Sequence, residues 1–440
     1  MNLLVITPDY LSHYLPLSAV AAAARRQGFD VTIATGRAIR TTVEADGSTW
    51  RELRMSRGSN PGLLSERRAS QSVDDDLGAF FAATAEGMVP ALRRQALDRG
   101  RDLLWEPQIV AAGVAELIDR ERPDAILVDH LAFSATLALR AMDRPFTTFV
   151  AGHPTQLPCG NEVYGYPTAW PSCISADAAG LTALRRLCED ATADVTDRYN
   201  EVLLGLNPSV QPVADAFAAH GDDVLFNSPE VLIDPGRAAA LPARHAFLGS
   251  CVRAERPDPE SAMWLQSLHG QSFVYVSLGT FLSARVDVLG RIVSAMRRID
   301  VPVALATGTA DAADLAPLPP SWLVGRSLPQ VALLERAALV VTHGGNNTMT
   351  EALTNACPIV VLPFSTDQFA VAADLEQGGL GVALDRNRAT TDDIIDAARW
   401  ATSGRDPGSL AALATALRGQ PGPDLAVDRL QASVGRAGTA

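Results

Sequence analysis

Residues 339–368 read LVVTHGGNNTMTEALTNACPIVVLPFSTDQ, a strand, loop, helix, strand and loop in succession, with the polar residues gathered at the loops and the helix start. The apolar run 339–341 leads into His343-Gly344-Gly345 and then opens a helix. Unpaired backbone N–H groups and a partial positive charge therefore collect where glycines let an anion approach. The spacing predicts a phosphate cradle. Glu351 follows His343 by about two helical turns of ~3.6 residues and so shares its helix face. A second strand over 358–363 delivers Asp367 and Gln368 to the same carboxyl edge, where open α/β sheets bind ligands. One site thus combines phosphate donors, a carboxylate suited to a ribose diol and an acid–amide pair suited to sugar hydroxyls.

The order His343, Gly345, Asn347, Glu351, Pro363, Asp367, Gln368 resembles the C-terminal donor signature of nucleotide-sugar glycosyltransferases, the large two-domain superfamily that glycosylates natural products, lipids and xenobiotics. Pro329-Gln330 matches that family's Pro-Gln element, and VYVSLGT at 274–280 is similar to the strand and turn that open its second domain. The resemblance implies two Rossmann-like doubly wound parallel-sheet domains facing across a cleft, the GT-B fold. It also implies donor contacts from Gly279, Thr280, Leu328, Gln330, His343, Gly344, Gly345, Asn346, Asn347, Thr348, Glu351, Asp367 and Gln368. The chain departs from the family in one respect. Many relatives carry a tryptophan that stacks on the nucleobase where Ser327 stands, and in this chain Trp322 lies five residues earlier.

Length and composition fit this reading. A chain of 440 residues, 47% hydrophobic and 20% charged, is expected to build two sizeable cores. A net charge of -13 argues against a nucleic-acid partner, which would need clustered Lys and Arg. Arg51, Arg54 and Arg57 read as solvated surface. The five cysteines, Cys159, Cys173, Cys188, Cys251 and Cys357, lack zinc-type spacing and are expected as reduced thiols. The run 3–6 is too short for a signal peptide, and no apolar stretch reaches the ~18 residues needed to span a bilayer, so a cytoplasmic protein without integral membrane association is expected.

Strand-like and helical runs alternate from the start: 3–7, a helix over about 17–27, 31–35, then 125–129, a helix through 140, and 146–151. This alternation predicts a parallel doubly wound sheet. The pattern weakens over about 40–104, read as a variable cover with one long helix near 77–95. A last N-terminal strand is expected at 224–227, and the alternation restarts at Phe273, with strands at 301–307, 339–342, 359–363 and 381–384. The expected organisation is an acceptor domain over 1–250, a donor domain over 251–422 and a closing helix within 423–440 that crosses back to the first domain.

The first strand-to-helix turn, 7–13, has no glycine and cannot form the close pyrophosphate turn of a dinucleotide fold. It offers His13 instead. The family places its general base here, within Gly-His-x-x-Pro; this chain reads Ser12-His13-Tyr14-Leu15-Pro16. A pKa near ~6.5 leaves neutral imidazole free to take a proton from an attacking hydroxyl. Asp129, which ends the strand of PDAILVD, matches the position of the orienting acid, and as a bare sequence feature also suits a helix N-cap. His153, Tyr164 and Trp170 are candidates for an apolar acceptor wall. Asp74 and Asp76 form an Asp-x-Asp, but in a polar run with no adjoining buried strand, so a solvated cap is expected and no metal site.

The expected activity is inverting, metal-independent transfer from a nucleotide sugar, UDP-linked in preference to TDP-linked, to a hydroxyl of a small-molecule acceptor, by a monomer or homodimer with no resident cofactor. A sugar-nucleotide epimerase of the same fold, or a non-catalytic sugar-nucleotide-binding protein, are the alternatives.

Overall fold

The computed structural model describes residues 1–56, 71–315, 317–404 and 407–437; within these, the side chains of 71–77, 99–102, 280–281, 404, 407 and 437 stand outside the description. Arg57 is thus outside the described residues, and Asp74 and Asp76 are described in backbone only. Among the described residues, all five cysteines are free.

The first sheet contains β1 (Asn2–Ile6), β2 (Asp30–Thr35), β3 (Thr49–Glu52), β4 (Ala125–Asp129), β5 (Thr147–Val150), β6 (Asp223–Phe226) and β7 (His245–Phe247). Among the described residues these seven run parallel in the order β3-β2-β1-β4-β5-β6-β7. The second contains β8 (Val274–Ser277), β9 (Val303–Ala306), β10 (Leu323–Gly325), β11 (Leu339–Thr342), β12 (Ile359–Val361) and β13 (Gly381–Ala383). Its order is β10-β9-β8-β11-β12-β13, again parallel.

Helices cover both faces of a parallel sheet, so its central strands are apolar throughout instead of alternating. β1 shows the consequence. Leu3 and Val5 pack into one core cluster, and Leu4 and Ile6 into another on the opposite face. All four are at most 1% exposed, each contributing about 1.5–3 kcal/mol of burial. In the second domain, Leu339 and Val341 of β11 face one cluster and Val340 the other.

Strand order reverses between β1 and β4 in the first sheet and between β8 and β11 in the second. The carboxyl ends of these strands frame the crevices in which open sheets hold ligands. Side chains beyond the two edges bond to one another across the domains, so the crevices face each other. The helix Gly422–Ala437 returns to the first domain. Ala426, Val427 and Leu430 enter the core beneath β1, and Asp424, Gln431 and Arg436 bond to Arg26, Gln27 and Asp223.

Several local expectations are corrected. The first helix spans Leu11–Arg26, not 17–27, and contains Pro16. Proline has no N–H to give to the carbonyl four residues back, here Ser12. Asn347 of the second domain donates its Nδ2 to that carbonyl at 2.6 Å, so the gap in the helix ladder is filled from across the cleft. The single helix expected near 77–95 is two, Gln71–Glu86 and Met88–Asp102, divided at Gly87 with φ 142°. Within the supposed cover, β3 is an edge strand of the sheet, and its Arg51 pairs with Glu121 at 2.7 Å. The last strand of the first sheet is β7, beyond 224–227. The 29-residue helix Ala178–Leu206 was not foreseen.

Candidate active site

Ile6 and Val128 are register partners in β1 and β4, so the residues that follow each strand emerge side by side. His13 emerges in the first turn of the helix Leu11–Arg26, and Asp129 at the end of β4. His13 Nδ1 lies 2.9 Å from Asp129 Oδ2, with 13% of the His13 side chain exposed and none of Asp129. A carboxylate only accepts, so the bond places the proton on Nδ1 and leaves the Nε2 lone pair for chemistry. Asp129 Oδ1 accepts the Leu131 amide at 2.9 Å, so the carboxylate serves the turn and the imidazole together. Burial lowers the His13 pKa, but the charge and hydrogen bond of Asp129, aided by Asp367, more than offset this and raise it above the ordinary value.

The opposite wall is built by β8 and β11. β11 ends in Thr342, and Gly345 caps the helix Asn346–Thr354. The His343 ring fills the space between two glycines: a Cβ on Gly279 would lie 2.9 Å from it, and one on Gly345 2.7 Å. Burial pushes the His343 pKa down to about 4, opposed by a hydrogen bond with the Ser277 backbone, so the ring is neutral at physiological pH. Gly344 has φ 86°, and a Cβ there would meet Val361 Cγ2 at 2.7 Å. Gly344→Ala combines left-handed strain with overpacking and is expected to cost about 1–3 kcal/mol. A urea melt followed by intrinsic fluorescence should show an earlier unfolding midpoint; an unchanged midpoint would contradict this geometry.

Glu351 is 4% exposed. Its oxygens accept Arg253 Nη1 at 2.8 Å and Gln330 Nε2 at 2.6 Å. Burial raises its pKa, with Arg253 the main opposing influence. Gln330 Oε1 also accepts from Tyr275 and Thr348, which ties the Pro-Gln element to the helix. Leu328 packs over Gly325. Thr280 lies by its backbone in the short helix Gly279–Leu282 that follows β8, and its side chain is outside the described set. Trp322 is 8% exposed within the second-domain core, so it is a packing residue and does not stand in for the tryptophan replaced by Ser327.

The asparagines and the acid–amide pair hold the walls together. Asn346 Nδ2 donates to the carbonyls of Ala151 and Asn227 at 2.9 and 2.8 Å, beyond β5 and β6. Asp367 Oδ2 accepts the His153 amide at 2.8 Å and Gln156 Nε2 at 3.1 Å. Gln368 Oε1 accepts the amides of Phe364 and Ser365, shaping the loop after β12. Of the three acceptor-wall candidates, His153 bonds through its ring to Thr155 and Asp374, both at 2.8 Å, which makes it an interdomain clasp. Tyr164 stacks on Phe217 at 4.1 Å and lies 6.4 Å from His130, the neighbour of Asp129. Trp170 packs in a cluster with Phe369, the residue after Gln368.

Sequence reasoning missed Arg253, which comes from the Pro-bounded linker and bears no motif, and His130, which is 3% exposed and bonded through Nε2 to the Phe217 carbonyl. Among the described residues, no group of three or more His, Cys, Asp or Glu side chains is placed to hold a metal ion. Likewise no described helix is long and apolar enough to cross a membrane.

Residues 241–404 match the family model of UDP-glucoronosyl and UDP-glucosyl transferases. An uncharacterised UDP-glucosyltransferase of Bacillus subtilis is 24% identical over 62% of this chain and 64% of its own. The chain thus spans just under two thirds of that relative's length. The 4'-demethylrebeccamycin synthase of Lentzea aerocolonigenes is 25% identical over 90% of this chain and 91% of its own. Among solved structures, the glycosyltransferase VinC in complex with DTDP superposes with a TM-score of 0.68 at 18% identity, covering 99% of this chain and 100% of that one. The two facing parallel sheets give the chain the GT-B fold, and residues 241–404, which contain the run from His343 to Gln368, are similar to the UDP-glucoronosyl and UDP-glucosyl transferases.

Proposed function

We propose that this protein is an inverting, metal-independent glycosyltransferase that moves a sugar from a nucleotide diphosphate to a hydroxyl of a small natural-product acceptor. The observation that carries the reading is the His13–Asp129 pair, which lies across the cleft from the glycine-flanked helix start at His343. His13 Nε2 takes the proton of the acceptor hydroxyl as its oxygen attacks the anomeric carbon. The bond from that carbon to the diphosphate oxygen breaks with its electron pair, and the proton stays on the imidazolium until product leaves. One displacement inverts the anomeric configuration. The N–H groups at the start of the helix Asn346–Thr354, with neutral His343 beside them, meet the charge that develops on the leaving diphosphate.

Glu351, Gln330 and Arg253 form the ribose end of the site, and Asp367 with Gln368 the sugar end. A carboxylate facing a 2′,3′-diol favours UDP over TDP donors, whereas the relative solved with DTDP makes TDP-sugars the necessary comparison. Tyr164, stacked on Phe217 beside the His13 edge, supplies a flat apolar wall for an aromatic or polycyclic acceptor. The reaction is placed in the cytoplasm, where nucleotide sugars are made.

The test is incubation with UDP-glucose, UDP-N-acetylglucosamine and TDP-sugars against a panel of phenolic and polycyclic alcohols. The expected result is release of nucleoside diphosphate matched by a glycoside of opposite anomeric configuration, read by NMR. Isomerisation of the donor without acceptor, or binding without turnover on every acceptor, would overturn the reading.

A further inference from the structure

Arg386 follows β13 and is 1% exposed, the largest of the fully buried side chains. Among the described residues it has no carboxylate at ion-pair distance; its guanidinium is spent on two main-chain carbonyls. Nη1 donates to Pro363 at 2.9 Å, while Nε and Nη2 donate to Thr84 at 3.2 and 2.9 Å. The rings of Phe364 and Phe369 lie 5.5 and 5.6 Å from it. Burial without a contacting carboxylate pushes its pKa down to about 10.

The two carbonyls belong to different domains. Thr84 sits in the last turn of the helix Gln71–Glu86 in the cover, where carbonyls lack helical partners and carry partial negative charge. The second domain caps that end thoroughly: Asn387 Nδ2 also donates to the Thr84 carbonyl at 2.9 Å, and Arg285 Nη1 to its hydroxyl at 3.1 Å. Phe80, one turn earlier, is buried in the core of the second domain. Pro363 opens the loop that carries Asp367 and Gln368, and the amide of Thr366 in that loop donates to Gln95 of the cover at 3.1 Å. The loop is therefore gripped from two points of the cover, and Arg386 spans one of them.

We propose that Arg386 is a positioning residue that fixes the loop 363–368 against the cover helix and thereby sets recognition of the donor's sugar, as distinct from its nucleotide. The inference rests on the transferase reading, in which the sugar lies at Asp367 and Gln368. A planar fork is required because the two carbonyls are bridged by separate nitrogens of one guanidinium; lysine brings a single point charge. Side chains that only fill volume would be replaced by methionine without consequence for selectivity.

The test uses the full chain with Arg386→Lys, Arg386→Met and Phe80→Ala. In ligand-free protein, amide exchange at 364–366 should rise about tenfold in Arg386→Lys, the equivalent of one lost charged hydrogen bond, with β8 and β11 unchanged. Calorimetry should show UDP-glucose binding weakened about tenfold and UDP binding altered by less than about twofold, with KM for donor rising more than kcat falls. Phe80→Ala, acting from the cover side, should reproduce the pattern even if Arg386→Met does not fold. Unchanged exchange at 364–366, or equal losses for UDP and UDP-glucose, would overturn the proposal. A wild-type protein that binds no nucleotide sugar would instead defeat the transferase reading, and the exchange result would still decide the role of Arg386.

Discussion

Replacing His13 with glutamine is expected to lower kcat by about 10²–10⁴-fold while leaving donor affinity within about twofold, because the variant loses the proton acceptor and little else. Glutamine is a better probe than alanine. Asp129 is fully buried, and its carboxylate has two partners, His13 and the Leu131 amide. Removing one by alanine would leave half of a buried charge without a partner, a cost of about 1–3 kcal/mol that would confuse folding with chemistry. A glutamine amide can still donate to Asp129 but has no basic nitrogen. Donor affinity should hold because the proposed diphosphate elements follow β8 and β11, on the other side of the cleft. Steady-state kinetics together with calorimetric donor binding measures both quantities. Glutamine-variant turnover within tenfold of wild type would remove His13 from its assigned role.

What the sequence made legible depends on where each residue's partners lie. The central strands β1, β4, β11 and β12 were readable because a strand covered on both faces becomes an unbroken apolar run, and the glycines around His343 marked a turn no other residue can make. Edge strands were not readable. β3 is Thr-Trp-Arg-Glu, with charges suited to an exposed edge, and β7 and β10 are three residues long. Pro16 misplaced the start of the first helix because its cost is offset by Asn347, which lies 335 positions from the Ser12 carbonyl it serves. Arg253 and Arg386 were invisible for the same reason: each stands outside a helix or strand, and their partners Glu351 and Thr84 lie 98 and 302 residues off. The site's chemistry was local enough to be read, and the contacts that assemble its two walls were not.

Asp129→Asn should be as damaging as the loss of His13, with kcat down about 10³–10⁴-fold, and it should also change the pH profile. An amide can present its N–H to Nδ1, which forces the proton to Nε2 and points the wrong nitrogen at the acceptor. In the wild type, Asp129 raises the His13 pKa against the effect of burial, so the acid limb of kcat/KM should lie above the ordinary value near ~6.5, the rate rising as the imidazole loses its proton. Without the carboxylate charge, burial prevails and the residual limb should move below that value. Stability runs the other way. A His whose folded pKa is raised contributes stability that is complete below its unfolded value of ~6.5 and is lost as pH climbs through the folded one. Thermal melts should therefore show the wild type losing an increment of Tm across the interval in which it gains activity, and Asp129→Asn should lack that increment. If activity and this increment rose together with pH in the wild type, or if the acid limb of the variant stayed where the wild type's is, the coupling between Asp129 and His13 would not be what orients and tunes the base.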